Sequence, residues 1–105
     1  MAQSITPKEL KALLQGDRET VLLDVRRKSD CDAMPEMIVG AAHRDPEKVD
    51  EWMDEIPKEV PVVVYCVKGG SVSQATTEKL LRDNPDVRFL EGGIKGWIET
   101  GEPVE

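Results

Sequence analysis

The chain has 105 residues, 39 % hydrophobic and 33 % charged, with a formal net charge of −7. That is one domain's worth of ordinary soluble composition, and its sign argues against a nucleic-acid or membrane-surface partner, because phosphate backbones and anionic lipids repel it. No stretch approaches the ~18–20 apolar residues of a membrane span, and Met1-Ala2-Gln3-Ser4 is not a basic region leading into an apolar run, so a cytoplasmic location is expected.

Taken in chain order, Thr6-Pro7-Lys8-Glu9 predicts a helix start. Thr6 caps, Pro7 fits the first helical position and Glu9 completes a capping box; the helix runs to about Leu14 and stops at Gly16. Residues 20–25 read as a buried strand ending in Asp24 and Arg26, and residues 29–34 as a short helix. Residues 37–41 are read as a strand, followed by the polar turn His43-Arg44-Asp45-Pro46, in which His43 has no visible partner. Asp45 can cap a helix with Pro46 at its first position. Trp52 and Met53 give that helix its apolar contacts, and Glu47, Asp50, Glu51, Asp54 and Glu55 its solvated face.

Pro57 and Pro61 bracket a loop, and then comes Val62-Val63-Val64-Tyr65. A continuous apolar, β-branched run of this kind reads as a strand buried on both faces. Cys66 follows it directly, and behind Cys66 lies the turn Val67-Lys68-Gly69-Gly70. A helix is expected from Ser71 or Val72 to about Leu81. The glycines serve backbone geometry, through positive φ or close approach, and leave backbone N–H groups free to face an anion. A thiol at the mouth of such a cradle is placed to react as the thiolate, the form that helix N-termini and nearby cations favour; Lys68 is the nearby cation. The plain alternative for Cys66 is an inert core cysteine, and for Ser71 a simple helix cap.

Asn84-Pro85-Asp86 is a turn, residues 87–90 a strand, and Gly92-Gly93 a second glycine turn leading into a short helix that carries Trp97 in the core. Strands alternating with helices predict a single α/β domain over residues 1–105 with a mainly parallel sheet. Ligands of such sheets bind beyond the carboxyl ends of the strands, where Asp24, Cys66 and Glu91 all fall. Two cysteines and one histidine without close spacing do not make a zinc site, and no cofactor is expected. Cys31 has no glycine cradle behind it and reads as a half-buried, non-catalytic residue, with a minor role as a resolving thiol for an oxidised Cys66.

Five segments together resemble a rhodanese-like domain, a single-domain sulfurtransferase. They are Leu22-Leu23-Asp24-Val25-Arg26, Ile38-Val39-Gly40-Ala41, Val64-Tyr65-Cys66 with its loop, Leu90-Glu91-Gly92-Gly93-Ile94-Lys95-Gly96-Trp97, and Gly101-Glu102-Pro103-Val104. The resemblance implies a mainly parallel central sheet flanked by helices on both faces. It also implies that Cys66 takes a sulfur from a donor such as thiosulfate as a persulfide and passes it to a thiophile such as cyanide or a thiol. Val67, Lys68, Gly69, Gly70, Ser71 and Val72 would then bind the donor, with Arg44 as a second positive charge, while Asp24 and Arg26 form a structural ion pair beside the site.

Many single-domain members carry Arg where Ser71 stands, so Lys68 and Ser71 point to thiosulfate-type chemistry, without the fork that Arg would offer. The missing Arg also counts against the rhodanese-like phosphatases and an arsenate reductase. The expected partners are a small sulfur donor and a thiol or cyanide acceptor, with a protein acceptor also open. A sulfur-relay or regulatory module with little turnover is the alternative to an enzyme.

Overall fold

The computed structural model describes residues 3–16 and 19–105; Met1 and Ala2, part of the N-terminal stretch read above, lie outside them. Five strands, β1 (Gln3–Ile5), β2 (Val21–Asp24), β3 (Ala42–His43), β4 (Val62–Tyr65) and β5 (Val87–Leu90), form one sheet in the order β1-β5-β4-β2-β3. Every neighbouring pair is parallel, which sharpens the expected mainly parallel sheet to a wholly parallel one. Five helices join and cover the strands: α1 (Pro7–Gln15), α2 (Lys28–Ala33), α3 (Val49–Trp52), α4 (Ser71–Leu80) and α5 (Gly93–Glu99).

The side-chain alternation of the central strands builds two cores. Leu22, Val63, Tyr65 and Leu90 face α1 and α5, where they pack with Leu10, Ile94 and Trp97. Leu23, Val62, Val64 and Val87 face α3 and α4, where they meet Val49, Trp52 and Leu80. A period of two thus sends consecutive strand residues into opposite layers, and the sheet is buried on both faces, as parallel sheets are. Trp52 belongs to the second core, and its Nε1 donates to the Asp45 carbonyl at 2.8 Å.

Helix α1 starts as the capping box predicts. Thr6 Oγ1 accepts from the Glu9 amide at 3.1 Å, and the Thr6 amide donates to Glu9 Oε1 at 3.0 Å. Asp45 does cap, accepting from the Glu47 amide at 2.9 Å, but the turn it opens is a 3₁₀ turn over Pro46–Lys48 before the short α3. Residues 37–41 do not form the expected strand. Gly40 turns the chain at φ +89°, the strand begins only at Ala42, and Met37 instead exchanges backbone hydrogen bonds with Glu105 at 2.9 and 2.8 Å. His43 therefore lies in β3 and not in a turn, and its Nε2 is 3.0 Å from the Arg26 carbonyl oxygen.

Asp24 and Arg26 are fully buried at the end of β2. Arg26 Nη2 pairs with Asp24 Oδ2 at 2.8 Å and also donates to the Glu36 carbonyl at 2.9 Å, Nε donates to Asp24 Oδ2 at 2.9 Å, and Nη1 donates to the Met34 carbonyl at 2.8 Å. Tyr65 donates to Asp24 Oδ2 at 2.9 Å and accepts from the Ile38 amide at 3.1 Å. Burial, then the Asp24 charge, push the Tyr65 phenol far above its usual range, so it stays protonated and donating. Burial opposes the Arg26 charge, but hydrogen bonding and attraction to Asp24 outweigh it and hold the guanidinium above its usual range. This network fixes the chain from Met34 to Ile38 beneath the end of the sheet, so the expected structural ion pair is present in the geometry.

Candidate active site

Asp24 ends β2, Cys66 follows β4 and Glu91 follows β5, so all three lie on one rim, at the carboxyl ends of adjacent parallel strands. Tyr65 faces the α1/α5 core, so Cys66, the next residue, is turned to the other layer, where α4 begins. Its thiol donates to Ser73 Oγ at 3.2 Å, and that hydroxyl donates to the Gly70 carbonyl at 3.3 Å. Cys66 is 6 % exposed and Ser73 is buried completely. Ser73 went unremarked in the sequence because it lies seven residues from Cys66, and only the fold of the glycine turn brings the two together.

The orientation of the loop follows from where its carbonyls go. In a trans peptide the C=O and the following N–H point in opposite directions. The Cys66 carbonyl accepts from the Ile94 amide at 2.9 Å and the Val67 carbonyl from the Lys95 amide at 3.1 Å. The Val67 and Lys68 amides consequently point away from α5. Gly69 and Gly70 carbonyls are taken up by Gln74, through Nε2 at 3.1 Å and its amide at 3.2 Å. Among the described residues, none of the amides of residues 67–73 donates to a backbone or side-chain acceptor. Seven consecutive unspent donors in the loop and first helical turn that follow the thiol form an arrangement able to hold an anion.

Two glycine turns make the close approach possible. Gly69 has φ +73°, and a Cβ there would lie 2.8 Å from the Leu90 carbonyl oxygen. Gly93 has φ +58°, and a Cβ there would collide with the Cys66 and Val67 carbonyls. Gly70 has negative φ and open space around it, so of the two glycines in the Cys66 loop only Gly69 is there for close approach. Gly70, not Ser71, occupies the cap position of α4, without a side-chain cap, which removes the reading of Ser71 as a cap. Gly93→Ala should lower stability by at least about 1–2 kcal/mol from the left-handed backbone alone and displace the Cys66 loop as well. Gly101 (φ +81°, nothing within 4 Å) provides the control. Thermal melts and turnover of Gly93→Ala and Gly101→Ala should show much the larger loss at Gly93; equal losses would contradict the packing of this turn on the loop.

Lys68 is exposed on the loop and has no ion-pair or hydrogen-bond partner among the described residues. Arg44 stands at the end of β3, two strands from β4 in the sheet order, a lateral distance of about 10 Å. Its guanidinium donates to the His43 carbonyl at 2.9 Å, so it is not drawn up against the loop. A groove of about 300 Å³ runs from Ser71 and Val72 along α4, and its cations are Arg27 and Lys79, not Arg44. No spacing rule in the sequence singles out those two.

Cys31 is half-buried in α2, and its sulfur lies within 4.8 Å of ligand atoms of Asp24 and His43. Asp24 is already taken up by Arg26 and Tyr65, which leaves two free ligands where a structural zinc takes four. Burial pushes the Cys31 thiol up, and the Asp24 carboxylate adds to it. Cys31 thus neighbours the Tyr65 side of β4, while Cys66 packs on α4, an arrangement that does not favour a resolving role. Among the described residues, no helix is long and apolar enough to cross a membrane.

The family model of the rhodanese-like domain matches residues 6–100. A thiosulfate sulfurtransferase GlpE of Glaesserella parasuis is 30 % identical over 105 residues, covering 96 % of this chain and 91 % of its own. A sulfurtransferase of Allochromatium vinosum is 29 % identical over 104 residues, with 99 % and 95 % covered. The crystal structure of a rhodanese-related protein from Thermoplasma volcanium superposes with a TM-score of 0.83 at 25 % identity over 98 % of this chain and 97 % of that one.

Proposed function

Because the chain belongs to the rhodanese-like domain family, we propose that it is a sulfurtransferase in which Cys66 carries sulfane sulfur from thiosulfate, a polysulfide or a persulfide to cyanide or a thiol. In the first half-reaction the Cys66 thiolate attacks the outer sulfur of thiosulfate. A bond forms between Sγ and that sulfur, the sulfur–sulfur bond of the donor breaks, and its electron pair leaves with sulfite. In the second, cyanide or a thiolate attacks the outer sulfur of the persulfide and the electron pair of the broken bond returns to Sγ. No oxidant is consumed, and the order is ping-pong.

The observation that supports this reading most is the run of unspent amides, residues 67–73, directly behind Cys66 in the chain. Those donors suit both anionic forms of the carrier, the thiolate and the persulfide, as an oxyanion hole suits oxygen. Ser73 contributes a hydroxyl that can turn its proton toward sulfur once Cys66 has lost its own. Lys68 holds the sulfonate end of the donor as a point charge. A steady-state assay of thiosulfate-to-cyanide transfer tests the proposal, parallel reciprocal plots being expected. For Lys68→Ala, kcat/KM should fall about tenfold with thiosulfate and much less with an uncharged donor. Equal losses on both donors would remove Lys68 from donor binding.

A further inference from the structure

Sulfur transfer at Cys66 leaves one cluster of metal-binding side chains unused. Cys31 Sγ, a ring nitrogen of His43 and a carboxylate oxygen of Asp24 all lie within 4.8 Å of one another. They come from α2, β3 and the end of β2, whereas Cys66 follows β4 and packs on α4. We propose that Cys31 and His43 form a two-donor site for a soft monovalent metal ion of the copper(I) type, which ties α2 to β3.

The donor set decides the ion. Asp24 has no lone pair to spare. Its Oδ1 accepts from the Arg26 amide at 3.0 Å and from Arg26 Nε at 3.1 Å, and its Oδ2 from Arg26 Nη2 at 2.8 Å and Tyr65 at 2.9 Å. A carboxylate offers about four such positions. One sulfur and one imidazole nitrogen remain. Calcium and magnesium call for several oxygen ligands, and a structural zinc for four ligands. Copper(I) prefers soft thiolate and imidazole donors and, as a closed-shell ion, is satisfied by a pair of them in line. Bonds of about 2.3 Å to sulfur and about 2.0 Å to nitrogen put such donors about 4.3 Å apart. That span falls within the 4.8 Å of the folded chain.

The surroundings suit the same ion. His43 Nε2 lies 3.0 Å from the Arg26 carbonyl oxygen. A carbonyl only accepts, so the neutral ring holds its proton on Nε2 and keeps the Nδ1 lone pair for a ligand. A backbone carbonyl on the second ring nitrogen is a common support of a metal-bound imidazole. Cys31 is half-buried and His43 exposed, so an ion enters from solvent without opening the core. Helix α2 has no buried residue and no side-chain cap, and β3 spans only Ala42–His43. An ion bridging them joins two lightly anchored pieces of the fold.

Binding exchanges one proton for one metal ion. The Cys31 thiol gives its proton to solvent as the sulfur–copper bond forms, His43 binds as the neutral ring, and no electron is transferred. The probe is copper(I) itself, held anaerobically in competition with a coloured copper(I) chelator. Cys66→Ser serves as the reference, because Cys31 then carries the only thiol. It should bind one copper(I) per chain. Cys66→Ser/Cys31→Ser and Cys66→Ser/His43→Ala should each bind at least about a hundredfold more weakly. X-ray absorption at the copper edge should show one sulfur and one nitrogen donor. The Tm of Cys66→Ser should rise with copper(I), and those of the double variants should not. Zinc(II) should bind far more weakly than copper(I). Equal copper(I) affinity in the His43→Ala background, coordination by sulfur alone, or zinc(II) binding as tight as copper(I) would overturn the assignment. These readouts need no turnover, so they stand or fall apart from the sulfur-transfer reading.

Discussion

Replacing Cys66 by serine is expected to abolish sulfur transfer, with a loss of at least about a thousandfold in turnover. The serine hydroxyl occupies nearly the same volume and can still bond to Ser73, whose Oγ lies 3.2 Å from the native sulfur. The fold should therefore survive, as a near-parental melting temperature would show. The chemistry should not survive, because a hydroxyl neither ionises near neutral pH nor stores a sulfane sulfur. Nothing else on the described rim can take over: Cys31 lies beside Asp24 and His43, with its thiol pushed up by burial and by the Asp24 charge. Retention of thiosulfate-to-cyanide activity in this variant would contradict the mechanism.

The second large effect belongs to the scaffold. Arg26→Met would leave the Asp24 carboxylate fully buried without its ion pair, and the carbonyls of Met34 and Glu36 without donors. Stranding a buried charge in this way costs about 3–5 kcal/mol, a large part of the 5–15 kcal/mol that stabilises a typical domain. Urea unfolding should register a loss of that size, and the melting temperature should fall by about 10 °C or more. A loss below about 1 kcal/mol would show that the network does not hold the rim together. Replacing Asp24 and Arg26 jointly by apolar residues should cost less than the single change, since no charge is then left unpaired.

The parts of the fold legible in the sequence are those whose signals are local. Val62–Tyr65 was readable because apolar residues fill it without a break, Val87–Leu90 because three of its four residues are apolar and a turn precedes it, and α1 because Thr6, Pro7 and Glu9 spell out its start. β1 gave no such signal: two of its three residues, Gln3 and Ser4, are exposed, and parallel pairing with β5 makes it a strand. β3 is two exposed residues long, and its place next to β2 comes from the backbone bonds of the assembled sheet. Residues 37–41 looked like a strand through Ile38 and Val39, but Gly40 breaks the run and Ile38 pairs with Val104 instead.

At the site the same division holds. Cys66 and its glycine turn are contiguous, so the candidate nucleophile and the loop proposed to cradle an anion could be read from one dozen residues. The agents that aim the cradle lie elsewhere: Ile94 and Lys95 bind its carbonyls across nearly thirty residues, and Gly93 makes room for them. Arg44 is expected at the loop only if the turn His43-Arg44-Asp45-Pro46 lies beside it, yet the cations that line the groove are Arg27, just before α2, and Lys79 of α4. Charge at a site is set by packing between elements, which spacing along one element does not encode.

The most direct test of the central claim is the mass of the intact protein after exposure to thiosulfate and removal of excess donor. The account predicts a gain of about 32 Da, one sulfur atom, mapped to the peptide containing Cys66, absent in Cys66→Ser and discharged by cyanide. An unmodified Cys66, or a sulfur found on Cys31 alone, would contradict it.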